Sequence, residues 1–116
     1  MPLCKITTAI KLEVTKQAEF LKQVETAIAE CLGKPLHYVG VAFILAGWMR
    51  FGGGSDPSAF VELSSIGAVN SANNTKLAGQ LSQLCEKFLG VPADRLFITF
   101  TDVPAANFAH GPRTFG

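Results

Sequence analysis

CLGKPLHYVGVAF (Cys31–Phe43) and FLGVPADRLFITF (Phe88–Phe100) are two versions of one phrase, set 57 residues apart (88 − 31). Each runs from an apolar stretch through a glycine, a proline two residues later, and an apolar-alternating segment. The same offset extends upstream. Phe20, Leu21, Val24, Ala27, Ile28, Cys31 and Leu32 recur at the spacing of one helix face. Adding 57 gives Leu77, Ala78, Leu81, Leu84, Cys85, Phe88 and Leu89, all apolar. Both predicted helices stop at a glycine, Gly33 and Gly90, with Pro35 and Pro92 following as helix-ending punctuation. Tyr38–Leu45 and Arg95–Phe100 then read as strands, as do Pro2–Thr8 and Ala59–Ile66 upstream of each helix.

The chain is therefore β-α-β followed by β-α-β, a pseudo-repeat of about 2–46 and 59–103 within a single domain of residues 1–116. Right-handed crossovers make each unit's strands parallel. Two units side by side predict an α/β (α+β) fold: a four-stranded mixed sheet with both helices on one face. Val39, Val41 and Phe43 alternate with Tyr38, Ala42 and Ile44, so the second strand is apolar on both sides. The face opposite the helices then needs a cover, and other copies of the chain are the economical one.

Composition narrows the function classes. A net charge of +1 and only 16% charged residues leave no basic field for nucleic acid. The longest apolar stretch, Val39–Met49, contains two glycines and is too short to span a bilayer, so no membrane insertion is expected. Lys5 near the start and the lack of a signal-peptide apolar region make the cytosol the default compartment. Cys4, Cys31 and Cys85 form no CxxC pair, and with only His37 and His110 besides, no metal site is expected. Cys31 and Cys85 fall in the apolar helical stripes and read as core. The linker GWMRFGGGSDP (Gly47–Pro57) is turn-rich but lacks phosphate-loop spacing, and GKP (Gly33–Pro35) has proline where Ser or Thr would bind Mg²⁺.

The predicted topology brings three groups to one sheet edge. Pro2 opens the first strand, where a residue without an N–H is tolerated. The loop leaving the first helix carries Lys34 back to that edge. If the halves are related by a pseudo-twofold, the third strand ends there too, at SSIG (Ser64–Gly67), where the Ile66 N–H can be left unpaired. Tyr38, Phe108 and Phe115 read equally well as core, interface or pocket aromatics, and His110 as a rim residue.

MPLCKI (Met1–Ile6), LGKP (Leu32–Pro35), Tyr38, RFGG (Arg50–Gly53) with Asp56-Pro57, SSIG, the DR–I segment and the AAN…TFG tail carry a resemblance that covers the chain in order. Together they resemble the macrophage migration inhibitory factor family of the tautomerase superfamily. The resemblance implies a homotrimer of the doubled unit. It also implies cofactor-independent keto–enol tautomerisation of phenylpyruvate- and D-dopachrome-type substrates. Pro2 would be the catalytic base after removal of Met1; Lys34, Ile66, Ser65, Tyr38, Phe108 and Phe115 would bind substrate. Phe97 and Thr99, from the neighbouring subunit, stand where relatives often have tyrosine and asparagine, and His110 where they often have tryptophan. SAFV (Ser58–Val61) replaces the CxxC of the cytokine, so no thiol-oxidoreductase activity is expected. Vertebrate members are also cytokines released without a signal peptide. The alternative is thus a secreted cytokine-like binding protein with a cell-surface receptor as partner and an incidental pocket.

The chemistry suits the residue types. An α-amino group titrates at roughly 7.7–8.0, and a proline amine tends higher. A dry pocket and the Lys34 cation both disfavour its protonated form. That brings the base toward working pH, where general acid–base catalysis contributes about 10²–10⁴-fold.

Overall fold

The computed structural model describes residues 1–116. The main elements are β1 (Leu3–Thr8), α1 (Val14–Leu32), β2 (Gly40–Leu45), β3 (Ala59–Ser65), α2 (Ser71–Leu89) and β4 (Leu96–Asp102). A C-terminal hairpin, β5 (Ala109–His110) with β6 (Arg113–Thr114), follows a 3₁₀ turn at Ala105–Asn107.

The main sheet has the order β2-β1-β3-β4. Each βαβ unit is parallel, β1 with β2 and β3 with β4, and the units meet through the antiparallel pair β1–β3. This is the duplicated, mixed four-stranded architecture that the repeat predicts. The β1–β3 register runs from Leu3 opposite Ser64 to Thr8 opposite Ala59. It places the start of β1 beside the end of β3, which is what makes a site at that edge.

The helices lie on one face through their apolar stripes. Phe20, Val24, Ala27, Ile28 and Leu32 of α1 are buried, as are Leu77, Leu81, Cys85 and Leu89 of α2. They pack on Cys4 and Ile6 of β1 and on Ala59, Val61 and Leu63 of β3. Each large aliphatic side chain taken fully from water contributes about 1.5–3 kcal/mol. Phe20 is wholly buried and ties the halves together. Its ring meets Phe43 edge-on at 6.1 Å and Phe88 at 5.3 Å. Leu21 and Cys31 flank the stripe half-buried, and the Cys31 thiol donates to Gln80 Oε1 at 3.4 Å. Burial and, secondarily, the neighbouring Cys85 push the Cys4 thiol up to about 12, and burial takes Cys85 to about 11.

Both helices end on left-handed glycines, Gly33 (φ 62°) and Gly90 (φ 67°). After Gly33, the Lys34 N–H returns to the Ala29 carbonyl at 3.0 Å, a Schellman closure that fixes the Lys34 backbone.

The first strand begins at Leu3 rather than Pro2, the third ends at Ser65 rather than Ile66, the fourth runs past Phe100 to Asp102, and two strand starts move for a shared reason. Tyr38 and Arg95 end 3₁₀ turns (Leu36–Tyr38 and Ala93–Arg95) rather than beginning strands. The cause is the preceding proline in each case. The Pro35 and Pro92 carbonyls accept from the Tyr38 and Arg95 N–H groups at 3.0 and 2.9 Å, coiling the chain before the ladder starts. The uncovered face is also less uniform than the alternation suggests. It exposes Leu3, Ile44 and Phe97, but Lys5 and Glu62 stand opposite each other at its centre.

Candidate functional site

The sheet edge at the start of β1 gathers the chemistry-bearing groups. Pro2 is fully buried, and its carbonyl accepts the Gly40 N–H at 3.0 Å, pinning it to β2. Met1 precedes it, so the Pro2 nitrogen is an amide that marks where a secondary amine would stand once Met1 is removed. The Met1 amine lies close by. Burial, and then the Lys34 charge, hold it below its ordinary value of 8.0. That coupling places the Lys34 cation within electrostatic reach of the terminus.

Lys34 donates from Nζ to the Ile66 carbonyl at 3.0 Å. An ammonium has three donors, so two remain for a ligand. The sequence points to the Ile66 N–H, whereas the Lys34 contact is with the carbonyl of the same residue. The Ile66 N–H itself has no backbone acceptor. The next N–H, of Gly67, donates to Asp102 Oδ1 at 3.0 Å. The Ile66–Gly67 peptide is therefore held by a cation on its oxygen and an anion on its nitrogen. The turn continues through left-handed Gly67 (φ 72°) and Ala68 (φ 60°), and a non-glycine residue there is uncommon.

Ser65 ends β3 with no exposed surface, and its Oγ has no hydrogen-bond partner. Its carbonyl accepts the Val103 N–H at 2.8 Å, so its backbone faces β4.

Tyr38, at the end of the 3₁₀ turn that follows Lys34, packs against the C-terminal tail. Its ring meets Phe115 edge-on at 6.3 Å and His110 edge-on at 6.0 Å. Phe115 lies parallel to His110 at 6.4 Å and edge-on to Phe108 at 6.1 Å. His37 packs on Tyr38 at 4.3 Å. The tail is thus an aromatic wall over the turn that follows Lys34.

Phe97 and Thr99 are not part of this assembly within one chain. Phe97 pairs with Phe60 and Thr99 with Glu62, on the uncovered face. At about 3.3 Å per residue, Phe97 is about 17 Å along β4 from Asp102, which stands level with Ser65. Phe97 instead joins Phe51 at 4.6 Å and Phe60 at 6.4 Å and is 64% exposed. With Phe60, Val61, Glu62 and Thr99 it lines a shallow depression of about 240 Å³. A larger concavity, about 510 Å³, lies between α1 and α2, away from this edge, and its lining is mostly polar.

Two residues to which sequence reading gave no structural role shape these regions. Asp102 steadies the Ser65–Gly67 turn, and Arg95 clamps the linker by donating to the Phe51, Asp56 and Pro57 carbonyls. Neither carries a local signal, because their partners lie 35 to 44 residues away.

Known proteins share this plan. The profile of the macrophage migration inhibitory factor family matches residues 1–116. A macrophage migration inhibitory factor homolog of Brugia malayi is 37% identical over 116 residues, covering 100% of both chains. The rat macrophage migration inhibitory factor is 31% identical over 115 residues, 99% of each. The solved structure of the Toxoplasma gondii macrophage migration inhibitory factor superposes with a TM-score of 0.95 at 45% identity, covering 97% of this chain and 99% of that one. A full-length profile match and relatives of this similarity establish that the chain belongs to the macrophage migration inhibitory factor family.

Proposed function

We propose that the protein is a cofactor-independent keto–enol tautomerase acting on phenylpyruvate- and D-dopachrome-type acids. One observation carries this reading: Pro2, the Lys34 ammonium and the unpaired Ile66 N–H converge on one sheet edge. After Met1 is removed, the Pro2 nitrogen is a secondary amine beside a cation, in a position already buried. Both influences that hold the Met1 amine down act there too, and they favour the neutral base. In the forward step the amine lone pair takes a proton from the carbon next to the keto group. The C–H bond breaks, an N–H bond forms and the electron pair moves onto the carbonyl oxygen. Lys34 and the Ile66 N–H are placed to stabilise that enolate and the substrate carboxylate, and donors fixed beforehand are effective in such a role. Return of the proton to oxygen completes the isomerisation without any cofactor.

The wall of Tyr38, Phe108 and Phe115 suits an aromatic substrate, with Ser65 behind the base. Phe97 and Thr99 enter the site only if another copy supplies them. A homotrimer that covers the open sheet face with neighbouring β4 edges does so. Activity in the cytosol, with release by a route that needs no signal peptide, fits this reading.

The test is an ultraviolet assay of phenylpyruvate tautomerisation with intact-mass analysis of the terminus. Protein lacking Met1 is expected to turn over, and acetylating the amine or extending the chain should reduce kcat/KM at least 10²-fold, the lower end for acid–base catalysis, roughly stated. Undiminished turnover with a blocked amine refutes the mechanism. That the relatives are named as migration inhibitory factors favours a second reading, a cytokine-like binding protein. Receptor binding that survives Pro2 substitution would support it.

A further inference from the structure

We propose that Ser65 is a positioning residue for the Pro2 amine: its buried hydroxyl accepts a hydrogen bond from the amino group that Met1 removal exposes. The inference rests on the reading above that the processed chain works through a free Pro2 amine.

Register supports it first. The β1–β3 ladder pairs Leu3 with Ser64, Cys4 with Leu63 and Ile6 with Val61. One step further, Pro2 stands opposite Ser65. Cys4, Leu63, Ile6 and Val61 all bury toward the helices, and alternation puts the Pro2 ring and the Ser65 side chain on that same side. The backbone of Ser65 is committed to β4 through the Val103 N–H, so this pair is not linked by main-chain bonds. In such pairs the side chains stand closest, with Cβ atoms about 4.5–5.5 Å apart.

The second observation is the orphan itself. Ser65 has no exposed surface, yet its Oγ meets no partner while the Pro2 nitrogen is an acylated amide with nothing to donate. A buried hydroxyl without a partner carries a desolvation cost. Cleavage of Met1 converts the facing nitrogen into a donor at the place where an acceptor is idle. Processing thus satisfies a group that the unprocessed chain leaves stranded.

The chemical consequence is directional. A neutral secondary amine has one N–H and one lone pair. With the N–H on Ser65 Oγ, the lone pair is turned away from the core, toward the sheet edge that carries Lys34. After proton abstraction the ammonium has two N–H bonds; one stays on Ser65 and the other is the proton to be returned. The hydroxyl bonds more strongly to the charged form. It therefore raises the amine's affinity for protons and opposes burial and Lys34, which lower it.

The experiment uses processed full-length protein labelled with ¹⁵N-proline, comparing wild type with Ser65→Ala and Ser65→Cys. The Pro2 nitrogen is titrated by NMR. Ser65→Ala is expected to lower its pKa by about one unit, equivalent to about 1.4 kcal/mol. Ser65→Cys, a weaker acceptor, should fall between. In the tautomerase assay the acidic limb of kcat should move down with it. A second arm compares melting temperatures in the processed protein and in a version that keeps an N-terminal extension. Ser65→Ala should be neutral or stabilising in the extended form, where it deletes an orphan, and less favourable in the processed form. An unchanged Pro2 titration, or the same melting shift in both forms, overturns the proposal. The titration needs no turnover, so absence of tautomerase activity would sink the functional reading while leaving this assignment to stand or fall separately.

Discussion

Replacing Arg95 tests whether one side chain holds the linker between the two βαβ units. Its Nε donates to the Pro57 carbonyl at 3.0 Å, and NH2 donates to Asp56 at 3.0 Å and to Phe51 at 3.2 Å. The guanidinium also lies 5.3 Å from the centre of the Phe51 ring. A hydrogen bond from a charged group contributes about 1.5–3 kcal/mol net. Only the Phe51 bond is partly buried, while the other two are exposed. Taking about 1.5 kcal/mol for the first and about 0.5 for each of the others, with about 0.5 for the cation–π contact, gives about 3 kcal/mol. For a chain of this length about 4 °C of melting temperature accompanies each kcal/mol, so Arg95→Ala should melt about 12 °C lower. Thermal unfolding followed by circular dichroism, at one fixed protein concentration, measures it. Limited trypsin digestion adds a local readout, since cleavage after exposed Arg50 should accelerate once the linker is released. Arg95→Lys reaches one carbonyl in place of three and should recover about a third of the loss. A fall below about 3 °C for Arg95→Ala, with tryptic cleavage unchanged, would show that the linker is held by something else.

Three further outcomes follow from the same geometry. Asp102→Ala removes the anion from the Gly67 N–H and should lower tautomerase kcat/KM about fivefold, the equivalent of about 1 kcal/mol, with Asp102→Asn losing less; equal rates in all three proteins would clear Asp102 of a role. The Met1 amine binds fewer protons folded than unfolded, because its folded pKa is depressed below 8.0. Stability of the Met1-bearing chain should therefore rise with pH from that depressed value up to about 8. Urea melts should show this for the free amine and not after acetylation, and Lys34→Ala should shrink the effect by removing the repelling charge. Cys4 and Cys85, with thiols held near 12 and 11, have almost no thiolate at pH 8, so iodoacetamide should modify at most Cys31 in native protein and all three in guanidinium; rapid native labelling of Cys85 would mean that α2 opens.

The fold was legible because its signals are periodic and repeated. Seven apolar positions at helical spacing in each half leave little choice of buried face, and a left-handed glycine fixes each helix end. The strand starts at Tyr38 and Arg95 were less legible. An apolar alternation does not reveal that Pro35 and Pro92 coil the chain into 3₁₀ turns first. Lys34 and Ile66 could be brought to one edge from connectivity alone. That the ammonium would take the Ile66 carbonyl could not, since nothing local in the sequence sets the plane of the peptide that follows Ile66. Asp102 and Arg95 were illegible for another reason. A single charged residue at a strand boundary looks like surface until folding sets a carbonyl or an N–H against it.

The grip on the Ile66–Gly67 peptide explains why Lys34 can serve a ligand without being free. Lys34 Nζ on the oxygen and Asp102 on the nitrogen polarise the peptide in the same sense. Rotation of this peptide turns on the φ of Gly67, which is 72° here and which glycine can change at little steric cost. Both together fix its plane, while the preceding Ser65–Ile66 peptide, which carries the unpaired Ile66 N–H, is anchored through the Ser65 carbonyl by the Val103 N–H. Lys34 keeps two donors after making this contact. A ligand at the edge therefore meets an ammonium and an amide whose relative placement is set before it arrives. Deleting Asp102 should consequently loosen the Ile66–Gly67 peptide, and with it the carbonyl that seats the Lys34 ammonium, without touching the charge of Lys34. A larger loss in kcat than in carboxylate affinity is the pattern that separates this orientation effect from simple electrostatics.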